Sequence, residues 1–113
     1  MTLNHVHLSV RDLEAAIGWI KKVWRTDPSF ANERMAVVPF AAFTVILDRS
    51  GHDSTATLGF ESVDCDNDFN AAVERGAVPL EPPANRPWGA RSAYLLGPGA
   101  ITFEIEQTLS GAD

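Results

Sequence analysis

Hydrophobic and polar positions alternate at the start of the chain. In Leu3–Val10, Val6, Leu8 and Val10 fall on one side and His5, His7 and Ser9 on the other. A period of two marks a half-buried strand. The period then lengthens. Leu13, Ala16, Ile17, Ile20 and Val23/Trp24 recur at helical spacing behind Asp12, whose side-chain oxygen suits an N-cap, and Pro28 bars continuation. Gly18 within this helix costs about 1 kcal/mol relative to Ala and is read as a point of close packing. Met35–Val38 and Ala42–Leu47 form a strand pair around Pro39, and the polar Asp48–Thr55 is a linker.

The same order then recurs. Ala56–Val63 reads as a strand, and Asp64 to Gly76 as a helix with Phe69, Ala72 and Val73 inward and Gly76 as its stop. Ala77–Leu80 is a short strand, Glu81–Pro87 a proline-rich loop, Arg91–Leu96 a strand, Gly97-Pro98-Gly99 a turn and Ile101–Glu106 the last strand. The tail Gln107–Asp113 is expected to fray. His5 to Thr57, Leu8 to Phe60 and Asp12 to Asp64 are each separated by 52 positions. A fixed offset between like elements is the mark of a tandem duplication. The chain is therefore read as one domain, 1–113, built from a first module over 1–50 and a second over 55–108. Neither module buries enough surface to fold well alone, so the two are expected to share a sheet or a core, within or between chains.

Composition narrows the function. With 9 Lys+Arg against 15 Asp+Glu the net charge is −6. The basic side chains that cluster, Lys21, Lys22 and Arg25, end a helix where cations complement the dipole. Nucleic acid is therefore not an expected partner. The longest uncharged run, Met35–Leu47, is 13 residues with Pro39 inside it, short of the roughly 20 that a membrane helix needs. No signal peptide is seen, and the single Cys65 allows neither an internal disulfide nor a thiolate zinc cluster. These features point to the cytoplasm. Cys65 stands between Asp64 and Asp66, whose charges oppose thiolate formation, and His52 lies in the linker. No nucleophile-elbow, Walker or dinucleotide glycine motif is present.

Asn4-His5-Val6-His7-Leu8-Ser9-Val10-Arg11-Asp12-Leu13 resembles the opening of the vicinal oxygen chelate superfamily. That family includes glyoxalase I, extradiol dioxygenases, fosfomycin-resistance thiol transferases and bleomycin-resistance proteins. Leu58-Gly59-Phe60-Glu61 resembles its second-module strand. Trp88-Gly89-Ala90-Arg91, Gly97-Pro98-Gly99-Ala100 and Phe103-Glu104-Ile105 resemble its ending. The resemblance implies an α+β fold of tandem βαβββ modules, whose curved mixed sheet forms a cup for a ligand. Function does not follow from it, because this fold hosts metal-dependent enzymes and metal-free binders alike.

The resemblance also implies a metal-ligand set, which this chain fills in part. His5 matches the first-strand ligand and Glu104 the last-strand ligand, while the second-module position holds Thr57, a poor ligand for a divalent transition metal. Residues two apart on a strand share a face, so His7 joins His5 and Glu106 joins Glu104 as possible additions. The expected ligand-binding residues are His5, His7, Thr57, Trp88, Arg91 and Glu104. The expected function is metal-free sequestration of a small organic ligand in a cup at a homodimer interface, similar to the bleomycin-resistance branch. The alternative is a metal-dependent lyase, isomerase or thiol transferase using His5 and Glu104 with Zn, Ni, Mn or Fe.

Overall fold

Alternation places one side of the first strand, β1 (His5–Val10), in a core: Leu8 and Val10 are buried, while His5 and His7 are exposed. The computed structural model describes residues 1–109. After β1 come α1 (Leu13–Trp24), β2 (Phe30–Ala31), β3 (Met35–Phe40), β4 (Phe43–Arg49), β5 (Thr55–Glu61), α2 (Cys65–Glu74), β6 (Val78–Arg86), β7 (Ala90–Leu96) and β8 (Ala100–Thr108). They form two four-stranded sheets, ordered β1-β4-β3-β2 and β5-β8-β7-β6. The chain divides into two compact units, Met1–Ala56 with Pro98–Ala100, and Thr57–Gly97 with the residues from Ile101 on. Each carries the βαβββ order that the motifs implied.

In the first unit β1 runs parallel to β4, as a strand joined to its partner through a helix must, and β4 pairs antiparallel with β3. Asp12 caps α1, its Oδ1 accepting the Ala15 N–H at 2.9 Å. Leu13, Ala16, Ile20 and Val23 are buried, together with Ala36, Val38, Val45 and Leu47 from the sheet. The helix ends at Arg25, which adopts the left-handed conformation with φ 54. Gly18 is not a packing point: a Cβ there would meet nothing within 4 Å.

The second unit repeats this logic. Asp64 caps α2 by accepting the Asn67 N–H, and Gly76 with φ 107 ends the turn that follows the helix. Phe69, Ala72, Ala93, Leu95, Ile101, Phe103 and Ile105 are buried, and the Phe60 and Phe103 rings stack at 5.7 Å. Val73 is only half-buried.

Proline misled the sequence reading twice. Glu81–Arg86 is not a loop but continues β6, with register shifts between Pro79 and Glu81 and between Glu81 and Ala84. Strand β6 is a sheet edge, where a missing N–H is tolerated. Likewise β3 runs through Pro39, because its outer neighbour β2 pairs only with Ala36 and Val37. Asp48 and Arg49 belong to β4 rather than to the linker. Gln107 and Thr108 extend β8, and Gln107 Oε1 accepts the Cys65 N–H at 2.9 Å. The rest of the tail expected to fray, beyond Leu109, lies outside the described residues. Among those described, no helix is long and apolar enough to cross a membrane.

Candidate functional site

Each sheet has one face buried with its helix and one left open within its unit. On the first sheet the pairing sets three rows on the open face: His5, Thr44 and Pro39; His7, Ile46 and Val37; Ser9, Asp48 and Met35. The two imidazoles meet edge to face, with ring centroids 5.6 Å apart. Both are tethered. His5 Nδ1–H donates to Asn4 Oδ1 at 2.8 Å, and His7 Nδ1–H donates to Asp48 Oδ2 at 2.8 Å. These acceptors have no proton to give, so the ring proton lies on Nδ1 and Nε2 is the remaining ring nitrogen. A hollow of about 300 Å³ lies beside His5, lined by Asn4, His5, Ala42, Thr44 and Ile46. Its rim includes the β3–β4 turn, where Ala41 holds φ 49, a conformation costly for a residue with a Cβ.

The open face of the second sheet is ionic. Glu104 lies opposite Tyr94 and Glu106 opposite Ser92. Tyr94 O–H donates to Glu104 Oε2 at 2.9 Å. That bond, with burial and the carboxylate charge, pushes the Tyr94 hydroxyl pKa above its ordinary value, while Ser92 and Arg86 pull the other way. The Arg86 guanidinium sits over the Tyr94 ring, 5.7 Å from its centroid. It donates from Nε to Ser92 Oγ at 2.9 Å and from Nη2 to the Ser92 carbonyl at 3.2 Å, and faces Glu81 at 3.5 Å. Its side chain is only 18% exposed, and Ser92 is fully buried. Gly59 on β5 comes against Glu104: a Cβ there would lie 3.5 Å from Oε1. Thr57 is exposed on the same strand, two positions earlier, where alternation gives it the face of Gly59.

The structure thus brings His5 together with His7, and places Thr57, Glu104 and Glu106 on one face of the second sheet. Trp88 is 62% exposed in the hairpin between β6 and β7. Arg91 does not join Glu104. It pairs with Gln107, on the opposite face of β7 from Tyr94. There Asp66 takes it in bidentate fashion, at 2.7 and 2.9 Å, with Asn85 at 3.0 Å. This pairing holds the Asp66 carboxyl below its ordinary pKa. The Cys65 thiol is buried, donates to the Ile105 carbonyl, and has its pKa raised first by burial, which makes it a poor nucleophile.

Asn4, Asp48, Glu81, Arg86, Ser92 and Tyr94 were not anticipated. One signal could have found Tyr94. Residues equidistant from the centre of a tight turn pair across a hairpin, and Tyr94 and Glu104 lie equally far from Gly99.

The metal-ligand set that the resemblance implies is incomplete in this chain: Thr57 offers only a hydroxyl, and one oxygen of Glu104 accepts the Tyr94 O–H. Among the described residues no group of three or more His, Cys, Asp and Glu is placed to hold an ion.

No protein-family model matches the sequence, and no curated protein matches it. Solved structures do. A glyoxalase/bleomycin resistance protein/dioxygenase from Nocardioides aligns with TM-score 0.86 at 21% identity, over 100% of this chain and 87% of the other. A superfamily member from Sphaerobacter thermophilus aligns with TM-score 0.80 at 21% identity, over 95% and 97% of the two chains. A family enzyme from Burkholderia phytofirmans gives 0.78 at 18%, over 96% and 100%. The architecture of this chain is therefore the glyoxalase/bleomycin resistance protein/dioxygenase fold, as the motifs around His5 and Glu104 implied.

Proposed function

We propose that the chain is a cytoplasmic small-molecule-binding protein that sequesters an organic ligand without a metal, in a cup at a homodimer interface. The observation that carries this reading is the Tyr94–Glu104 hydrogen bond backed by Arg86. The carboxylate that a metal would need is committed to a phenol, and the result is a fixed polar anchor of the sort that orients an organic ligand in a pocket. Thr57 at the third ligand position supports the same reading. His5, His7, Thr57, Glu104 and the exposed Trp88 are the proposed ligand contacts. Arg91 clamps the helix instead.

Thermal-shift screening of flat organic compounds, on protein dialysed against EDTA, tests the proposal. Binders are expected to raise the Tm without metal and to be recovered unchanged by mass spectrometry. Binding that appears only when metal is restored, or conversion of a bound compound, overturns the reading in favour of a metal-dependent lyase, isomerase or transferase. Light scattering is expected to give the mass of two chains, and a one-chain mass removes the dimer from the proposal.

A further inference from the structure

A second hollow, of about 220 Å³, lies at the start of α1 and wholly within the first unit. Val10, Ala15, Ala16, Trp19 and Pro98 make its walls apolar, and Asp12, Asp53 and Arg11 also line it. Alternation puts Val10 on the face of β1 opposite His5 and His7, so this hollow is separate from the proposed ligand contacts. Asp53 is half-buried and fixed in place. Its Oδ1 accepts the Arg11 N–H at 2.8 Å. The next residue, Ser54, is tied to β1 twice: its N–H donates to the Ser9 carbonyl and its Oγ accepts the Ser9 N–H, each at 2.8 Å. Gly99 comes close on the other side, where φ is 60 and a Cβ would lie 2.9 Å from Asp53 Oδ1. The segment that the sequence offers as a linker thus sets a carboxylate beside an apolar hollow with an indole wall.

We propose that this hollow binds a small aromatic ammonium ion, a single ring carrying a protonated amine on a short arm. Size sets the ring. An apolar cavity of about 150 Å³ holds benzene, so this one has room for one ring and its arm. Charge sets the amine. Two carboxylates line the hollow against one guanidinium, in a chain of net charge −6. Asp12 and Asp53 each use Oδ1 to hold a backbone N–H, which leaves Oδ2 to accept from the ammonium. Of the aromatic side chains, the indole is the best partner for a cation. The site does not rest on the ligand-binding proposal for the open faces, and the two fail separately: Arg11, Ala15 and Trp19 report one, and His5, His7 and Tyr94 report the other.

The test is an NMR titration of the full chain with benzylammonium chloride, read on the Arg11 and Ala15 amide signals and the Trp19 indole N–H. These signals are expected to shift saturably. Benzyl alcohol, the same ring without the charge, should bind about fivefold more weakly, and benzoate should not bind. Asp53→Asn keeps an oxygen for the Arg11 N–H and removes only the charge, so it should lower the benzylammonium affinity about fivefold at an unchanged Tm. Arg11→Gln, which removes the opposing charge, should raise the affinity. Ala15 is exposed on the helix, where Leu is a good helix former. Ala15→Leu should therefore keep the fold, fill the hollow and abolish binding. Absence of a saturable shift, equal affinity for benzyl alcohol, or unchanged affinity in any of the three variants overturns the proposal. So do shifts confined to His5, His7 and Tyr94, which would assign the ammonium to the open faces.

Discussion

The two units are built from the same order of elements, and they differ most on the face that each helix leaves open. The first presents imidazoles among Thr44, Ile46 and Val37, while the second presents carboxylates braced by Tyr94 and Arg86. Elsewhere the 52-residue offset persists into detail. Asp12 and Asp64 cap the two helices, and two residues on, within the first turn, Glu14 and Asp66 occupy equivalent positions. Each of these acids holds an arginine, Arg49 for Glu14 and Arg91 for Asp66. The arginines come from different strands, β4 in one unit and β7 in the other. Thus a clamp from helix to sheet is present in both halves, although only its acidic side occupies the repeated position. What a helix needs in order to start and stay on its sheet is common to both units. What faces outward is free to diverge.

The largest expected effect tests whether the second unit depends on its aromatic stack. Phe103→Ala should cost about 3–5 kcal/mol in denaturant unfolding, because Phe103 is 1% exposed and lies on Phe60. A loss below about 1 kcal/mol would show that the stack adds little. Next comes a pair of glycines with opposite surroundings. A Cβ on Gly97 would lie 2.8 Å from both the Ile101 carbonyl oxygen and the Phe103 ring, whereas one on Gly18 meets open space. Gly97→Ala should destabilise by about 1–3 kcal/mol, and Gly18→Ala should stabilise by about 0.5–1 kcal/mol. Equal signs in thermal melts would contradict this contrast between the units.

The clamps give a smaller effect that depends on pH. Glu14 and Asp66 have pKa values below the ordinary ones, first because of their hydrogen bonds to Arg49 and Arg91. A lowered carboxyl pKa in the fold stabilises fully above the ordinary carboxylate range, about pH 4–5, and the contribution is lost as pH falls through the lowered value. Melting curves of Arg49→Met and Arg91→Met should therefore lie below wild type near neutrality and converge with it in acid. A gap that stays constant into strong acid would mean that the arginines act by packing alone. Last, Tyr94 is the chain's single tyrosine, so an ultraviolet pH titration reads it directly. Glu104→Gln should move its pKa down toward the ordinary tyrosine value, and Arg86→Met should move it up. No movement in either variant would remove the Glu104–Tyr94–Arg86 anchor.

Much of the architecture could be read from the sequence because it rests on period and offset. Val6, Leu8 and Val10 fixed the facing of β1, and the repeated Asp12/Asp64 fixed both helix starts. The elements that were missed depend on a sheet's outer boundary, which no single segment announces. Pro82 and Pro83 read as loop because the sequence does not say that β6 has no outer neighbour. The two-residue β2 is too short to show a period. Site residues divide the same way. His5, His7 and Glu104 stood out by chemistry and strand position, whereas Asp48 and Arg86 acquire meaning only through cross-strand pairing. Arg91 looked available because its partner Asp66 is 25 residues away on another element.

The prolines of β6 carry one more consequence. A bare sheet edge is a template on which further chains can add strand by strand, the route to ordered aggregates. Along β6 three prolines withhold backbone donors and two register shifts spoil the spacing that an incoming strand would have to match. An edge closed in this way offers an incoming strand neither matching donors nor matching spacing, so the chain is expected to resist strand-by-strand aggregation even when concentrated.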